Sequence, residues 1–284
     1  MGFLFKLLAR WPLRLLHACG ATLGWLAYAL SPQYRKRFAL NARAAGYSAA
    51  QVRGAVAHAG RMVLELPRLW LGKPVLIQWD GAALIDAAHE AKRGVIFLTP
   101  HLGCFEVTAQ AYAQRYFREG RAITVLYRPA RKSALQSIVS QSRERQGLHA
   151  APATLSGVKT LFKALRSGHA LGILPDQVPP LGLGVWASFF GQPAYSMTLP
   201  ARLASQTGAT VLLAWGERLP RGAGYCVHIR TLTSDVSDEP ALAAAQINAA
   251  MEGLIRECPE QYLWGYARYK QPRPDALAAQ GAGV

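Results

Sequence analysis

From about residue 82 onward, apolar residues come in short unbroken runs separated by stretches with helical spacing. GVIFLTP (94–100), AITVLYRP (122–129) and ALGILPD (170–176) show no alternation of apolar with polar positions. That is the pattern of strands buried on both faces. TVLLAWGER (210–218) and YCVHIRTL (225–232) read as two further strands. Helices are predicted at 82–91, from about Phe105 to Phe117, at 133–146, 157–167 and 198–207, and at about 240–257. Residues 178–193 are rich in Pro and Gly and read as a loop. Strands interleaved with helices predict an α/β fold, with a mixed, largely parallel sheet covered by helices on both faces.

The first part of the chain has a different pattern. Leu15 to Tyr34 contains no Asp, Glu, Lys or Arg, and Arg10, Arg14, Arg35, Lys36 and Arg37 flank it. About 20 apolar residues span a bilayer, so residues 1–33 are expected to be a membrane anchor. His17, Gly20 and Gly24 dilute the hydrophobicity, and a helix lying in the interface fits nearly as well. Positive charge on both flanks leaves the orientation open. A cleaved signal peptide is the competing reading, but no convincing A-x-A site closes the run. Pro32 breaks this helix, 34–45 reads as a short basic one, and Ser48 can cap a longer one running towards Leu66. The expected organisation is an anchor at 1–33, one main domain at 34–275 and an Ala/Gly-rich tail at 276–284.

Charge sharpens the reading of partners. The chain has 32 Lys+Arg against 16 Asp+Glu, a net +16, together with 51% hydrophobic residues. A basic chain suits nucleic acid, anionic lipid or an acidic protein. Blocks of Lys/Arg and stacking-aromatic motifs are missing, and the arginines are scattered through apolar helices, which points to an anionic membrane surface and away from nucleic acid. Cys19, Cys104, Cys226 and Cys258 stand far apart without a CxxC, so neither a disulfide framework nor a metal site is expected.

In open α/β sheets reactive groups gather beyond the carboxyl ends of the strands. Three predicted strands end in polar signatures: Pro100-His101, Arg128-Pro129 and Pro175-Asp176-Gln177. In HLGCFE, His101 leaves a buried strand, Gly103 permits a tight turn, and Glu106 falls in the first turn of the next helix. On one continuous helix a spacing of five would separate the two side chains by about 140°. A strand–turn–helix junction lifts that obstacle and lets a carboxylate hold one ring nitrogen while the other accepts a proton. Backbone N–H groups after Gly103 are candidates to steady an oxyanion. A strand-end histidine followed by a glutamate at a helix start is the plain structural alternative.

HLGCFE, YRP, SGHALGILPDQ, SFFGQPA with LASQTGA, and PEQYLW…RYK follow in order over roughly residues 3–272. Together they resemble the bacterial lipid A late acyltransferases, a branch of the lysophospholipid acyltransferase superfamily. The resemblance implies a glycerolipid acyltransferase-like fold and an H-x4-(D/E) centre, with no metal and no cofactor of the enzyme's own. It implies a phosphopantetheine thioester on acyl carrier protein as donor, and a lipid A precursor, Kdo-bearing or bare, as acceptor. The implied location is the cytoplasmic face of the inner membrane; oligomeric state stays open. Carried over, His101 is the general base, Glu106 its orienting partner and Gly103 the shaper of the turn. Arg128, Arg143, Asp176 and Gln177 hold the polar head of the acceptor, and Arg268 with Lys270 matches the basic end of the last motif. Cys104-Phe105 stands where the family often has Asn-Trp, and tyrosine stands near 266 where it often has histidine. Acyl transfer to another lysolipid or glycolipid is the nearest alternative, and a non-catalytic membrane-binding protein the next. His17, His58, His89, His149, His169 and His228 have no acidic partner at an informative spacing. Cys104 reads as a small buried residue before a nucleophile, and Phe189-Phe190 as either an acyl-tunnel wall or ordinary core.

Overall fold

The computed structural model of the chain describes residues 2–127 and 146–273. The helix expected at 133–146 and the tail at 276–284 fall wholly or almost wholly outside them. Seven strands form one sheet: β1 (Ile77–Asp80), β2 (Val95–Leu98), β3 (Ile123–Tyr127), β4 (Leu148–Pro152), β5 (Ala170–Ile173), β8 (Thr210–Arg218) and β9 (Tyr225–Thr231). Their spatial order is β1-β9-β8-β2-β5-β3-β4. Only β8 and β9 pair antiparallel, so the sheet is mixed and largely parallel.

Each strand sends alternate residues to opposite faces. Ile96, Leu98, Leu171, Ile173, Leu213 and Trp215 join one core, and Val95, Phe97, Ala170, Leu212 and Ala214 join the other. On the first face lie α3 (Pro32–Ala44), α4 (Gly54–Leu64), α8 (Leu155–Arg166), α9 (Leu199–Thr207) and α10 (Pro240–Glu257). On the second lie α5 (Leu66–Leu71), α6 (Ala82–Glu90) and α7 (Phe105–Tyr116). Both faces are buried, which is why the central strands read as continuous apolar runs.

The stretch expected to be a loop at 178–193 holds most of a hairpin, β6 (Gly184–Phe189) with β7 (Gln192–Met197). Phe190 and Gly191 form its two-residue turn, both with positive φ (48° and 70°), as a tight right-twisted hairpin requires. Phe189 and Phe190 then pack into the first core. Their environment is interior packing.

Two helices precede α3: α1 (Gly2–Leu8) and α2 (Leu13–Leu30). Ser31 ends α2 and caps α3 by accepting from the Tyr34 N–H, with Pro32 opening the new helix. No described helix is long and apolar enough to cross a membrane. Instead, α2 lies against α4 at backbone contact. A Cβ on Gly24 would sit 2.2 Å from the Val56 carbonyl oxygen, and one on Gly60 would sit 1.9 Å from that of Gly20. Glycine at these positions is what allows the two helices to meet.

Candidate active site

β2 and β5 are parallel neighbours with Leu98 opposite Ile173. Three residues past each of these come His101 and Asp176, so register alone delivers the two side chains to one spot beyond the carboxyl ends. The ring Nδ1 of His101 lies 2.7 Å from Asp176 Oδ1, and the His101 backbone N–H donates to Oδ2 at 2.8 Å. Because Nδ1 faces a carboxylate it carries the proton, which leaves the lone pair on Nε2. There the Gln177 side-chain amide donates at 2.9 Å. The Tyr262 hydroxyl reaches Oδ2 at 3.4 Å. Asp176 is only 2% exposed. Burial alone would raise its pKa, but the His101 charge, both His101 hydrogen bonds and the Arg268 charge together hold it below the usual carboxylate value.

The turn after His101 is clamped on both sides. Gly103 has φ +57°, and a Cβ there would meet the Gly216 carbonyl oxygen at 2.0 Å. Its N–H donates to Gln261 and that of Cys104 to Gly216, at 3.0 and 2.7 Å. Those two groups are therefore committed to the protein, and the N–H groups that open the following helix begin at Phe105. The Cys104 thiol is fully buried and its pKa is pushed far up, chiefly by burial, which suits packing rather than nucleophilic attack.

α7 starts at Phe105, whose ring packs against His101 with centroids 4.9 Å apart. Glu106 follows in the first turn and accepts from the Trp70 indole N–H at 3.3 Å. Phe105, Glu106 and Thr99 border an apolar cavity between α7 and the sheet, lined further in by Phe97, Ala109, Tyr112, Gly172, Ala214 and Ile229. It holds about 690 Å³ of space between atoms including its open mouth, whereas its clear interior is about 60 Å³. It is thus a narrow slit.

The model of the family described as bacterial lipid A biosynthesis acyltransferase matches residues 1–271. The chain belongs to that family. It is similar to a lipid A biosynthesis acyltransferase of Haemophilus influenzae, at 25% identity over 66% of this chain and 57% of that protein. It is also similar to the lipid A biosynthesis lauroyltransferase of Escherichia coli K12, at 25% identity over 66% of this chain and 60% of that protein. A phosphatidylinositol mannoside acyltransferase of Mycobacterium tuberculosis is 30% identical over 51% of this chain and 45% of that protein. The chain spans about three-fifths of the first two relatives and less than half of the third.

As a member of the lipid A acyltransferase family, the chain places its expected site residues unevenly. His101, Gly103, Asp176 and Gln177 come together. Glu106 lines the same site, but the carboxylate on His101 Nδ1 is Asp176, so the orienting position expected for Glu106 is filled from a neighbouring strand. Arg268 is 2% exposed, and its guanidinium donates to the Tyr195 carbonyl, Ser196 Oγ and Asn248 Oδ1. That ties the last segment to β7 and differs from the substrate contact expected of it. Lys270 sits over the Tyr266 ring at 5.0 Å, and the Tyr266 hydroxyl accepts from Val178 N–H beside the Asp176-Gln177 pair. Arg128 and Arg143 lie outside the described residues.

The sequence reading missed the group beneath the turn. Glu65 is completely buried and accepts from His17 Nε2, from Arg218 Nε and Nη2, and from the Tyr225 hydroxyl, at 3.1, 2.9, 2.6 and 2.9 Å. A lone acid in the apolar run Leu64–Leu66, the first Asp or Glu of the chain, was the available signal. His228 likewise has acidic partners, Asp80 and Glu217, which neighbouring strands supply. Burial would raise the Glu65 pKa, yet Arg218 and the hydrogen bonds from His17 and Arg218 bring it down to about 2. Its stabilisation is therefore complete above the unfolded carboxylate value of about 4.3 and fades as pH falls through about 2. Glu65→Gln, which strands the buried Arg218 charge, is expected to cost about 3–5 kcal/mol in urea unfolding at neutral pH. The same variant should show a shallower acid limb of stability below about pH 4.

Proposed function

We propose that this chain transfers a fatty acyl group from an acyl carrier protein thioester to a hydroxyl of a lipid A precursor. The observation that carries the reading is a His101 ring oriented by Asp176 and packed against Phe105, a residue that lines an apolar cavity. Nε2 takes the proton of the acceptor hydroxyl in place of the Gln177 contact, and the oxygen attacks the thioester carbonyl. The new C–O bond forms, the C–S bond breaks, and the imidazolium returns the proton to the departing thiolate. Asp176 steadies the imidazolium during this sequence. The Gln177 amide, displaced from Nε2, is a side-chain donor at hand for the developing oxyanion. Glu106 takes its place at the mouth of the cavity, and the donor's origin puts the reaction at the cytoplasmic face of the inner membrane.

The slit under α7 suits a hydrocarbon chain, since its lining is largely apolar and includes the small residues Ala109, Gly172 and Ala214. Ala109→Phe is expected to move the preferred donor several carbons shorter while sparing turnover of the shortest donors, read by competition between thioesters of different length. An unchanged chain-length profile would take the acyl chain out of this slit.

The likeness to a phosphatidylinositol mannoside acyltransferase supports a second reading, in which the acceptor is another glycolipid. Purified protein given acyl carrier protein thioesters and a panel of acceptors separates the two. Acylation of lipid A precursors with or without Kdo supports the first, and acylation of mannosylated phosphatidylinositol alone supports the second. Turnover of none of them would reject both.

A further inference from the structure

β8 outruns the strand beside it. Its pairing with β2 stops at Leu98 opposite Leu213, yet β8 continues to Arg218. Past Leu98 the chain turns through His101, and the backbone groups on that edge of β8 need other partners. Gly216 finds one in the Cys104 N–H. Arg218 finds both of its partners in a single side chain. The Gln261 amide accepts from the Arg218 N–H at 3.0 Å and donates to the Arg218 carbonyl at 3.2 Å. It stands in for a peptide group of the strand that has turned away, which requires a carbonyl and an NH₂ on one carbon. Gln261 is buried, so losing either bond leaves a polar group without water.

The same residue holds the turn that carries His101. Its carbonyl accepts from the Gly103 N–H at 3.0 Å, and two residues on, the Leu263 N–H donates to the His101 carbonyl at 3.1 Å. Between them the Tyr262 hydroxyl reaches Asp176 Oδ2. Residues 261–263 therefore grip both the backbone after the ring and the carboxylate that orients it. Downstream, the Asn41 amide ties this segment by donating to the carbonyls of Trp264 and Tyr266 at 2.6 and 2.7 Å. Upstream, the tie is the Gln261 side chain, fastened to a residue whose guanidinium is itself fixed by the buried Glu65. We infer that Gln261 is a positioning residue for His101. By splinting the segment to β8 it sets the turn, and so keeps ring Nδ1 on Asp176 and the lone pair on Nε2. The inference rests on the reading of His101 as the base, although one of its tests needs no turnover.

Gln261→Met keeps the length and apolar bulk of the side chain and removes both bonds. In the full chain it is expected to lower kcat about tenfold or more with both KM values within about twofold of wild type, because a misplaced base costs rate and not binding. The second readout is the long-range proton–nitrogen NMR spectrum of protein labelled at histidine, with His101→Ala assigning the ring. Wild type should show one tautomer, protonated on Nδ1, and Gln261→Met a mixture of the two. A lower melting temperature with wild-type kcat and a wild-type ring spectrum would make Gln261 purely structural and overturn the inference. Should Gln261→Met fail to fold, Gln261→Glu keeps the acceptor for the Arg218 N–H and is read in the same way. Unchanged kcat and ring spectrum there overturn the inference equally. A changed ring spectrum in a protein whose wild type transfers no acyl group would keep the positioning role and remove the reaction. Wild-type transfer that Gln261→Met leaves intact, ring spectrum included, would do the reverse.

Discussion

Replacing His101 with alanine is expected to lower turnover about a thousandfold. The ring lies at the end of β2 and is held mainly through its own nitrogens, so its loss removes chemistry before it removes packing. General-base catalysis contributes about 10²–10⁴-fold, and the proposed role uses the same ring twice, to take a proton and to return it. Initial rates with an acyl carrier protein thioester and a lipid A precursor measure this. A rate within threefold of wild type would remove His101 from the reaction.

The second large effect is expected from Asp176→Asn. The two carboxylate oxygens each accept a hydrogen bond from His101, one from ring Nδ1 and one from the backbone N–H. Asparagine keeps the shape but offers one acceptor oxygen to those two donors. If its NH₂ faces the ring, the imidazole proton is driven to Nε2 and the base is lost. If it faces the backbone, two donors collide in a buried place. The corresponding change in a serine protease triad costs about 10⁴-fold, so a loss of about 10³–10⁴ in kcat with KM little altered is the expected result. Glu106→Gln should lower turnover far less, because Glu106 accepts from Trp70 and Asp176 occupies Nδ1. A reversed ranking would restore Glu106 as the orienting carboxylate.

The ranking turns on something local spacing cannot supply. His101 and Glu106 are five residues apart and invite pairing by proximity in the chain. His101 and Asp176 are 75 apart and meet because β2 and β5 are adjacent and in register. Strand order follows from how crossovers stack helices on both faces, and that information is spread over the whole chain. The hairpin of β6 and β7 was overlooked for a different reason. Its Pro and Gly residues read as loop punctuation, although Phe190-Gly191 is the kind of two-residue turn that closes a hairpin. The short β1 and β4 lacked enough apolar residues to stand out, and neighbouring strands supply their partners.

By itself the sequence determined the α/β class, the position of the central strands, the turn that exposes His101 and the family. Each of these depends on local composition, periodicity or motif order, which survive in a linear string. Tertiary structure alone decided which carboxylate orients the ring, where the apolar slit runs, and that α2 packs on α4 by glycine contacts over a buried Glu65–Arg218 pair. These depend on distances between segments far apart in the chain. Such distances are set by the joint packing of all the elements, and no window of sequence contains them.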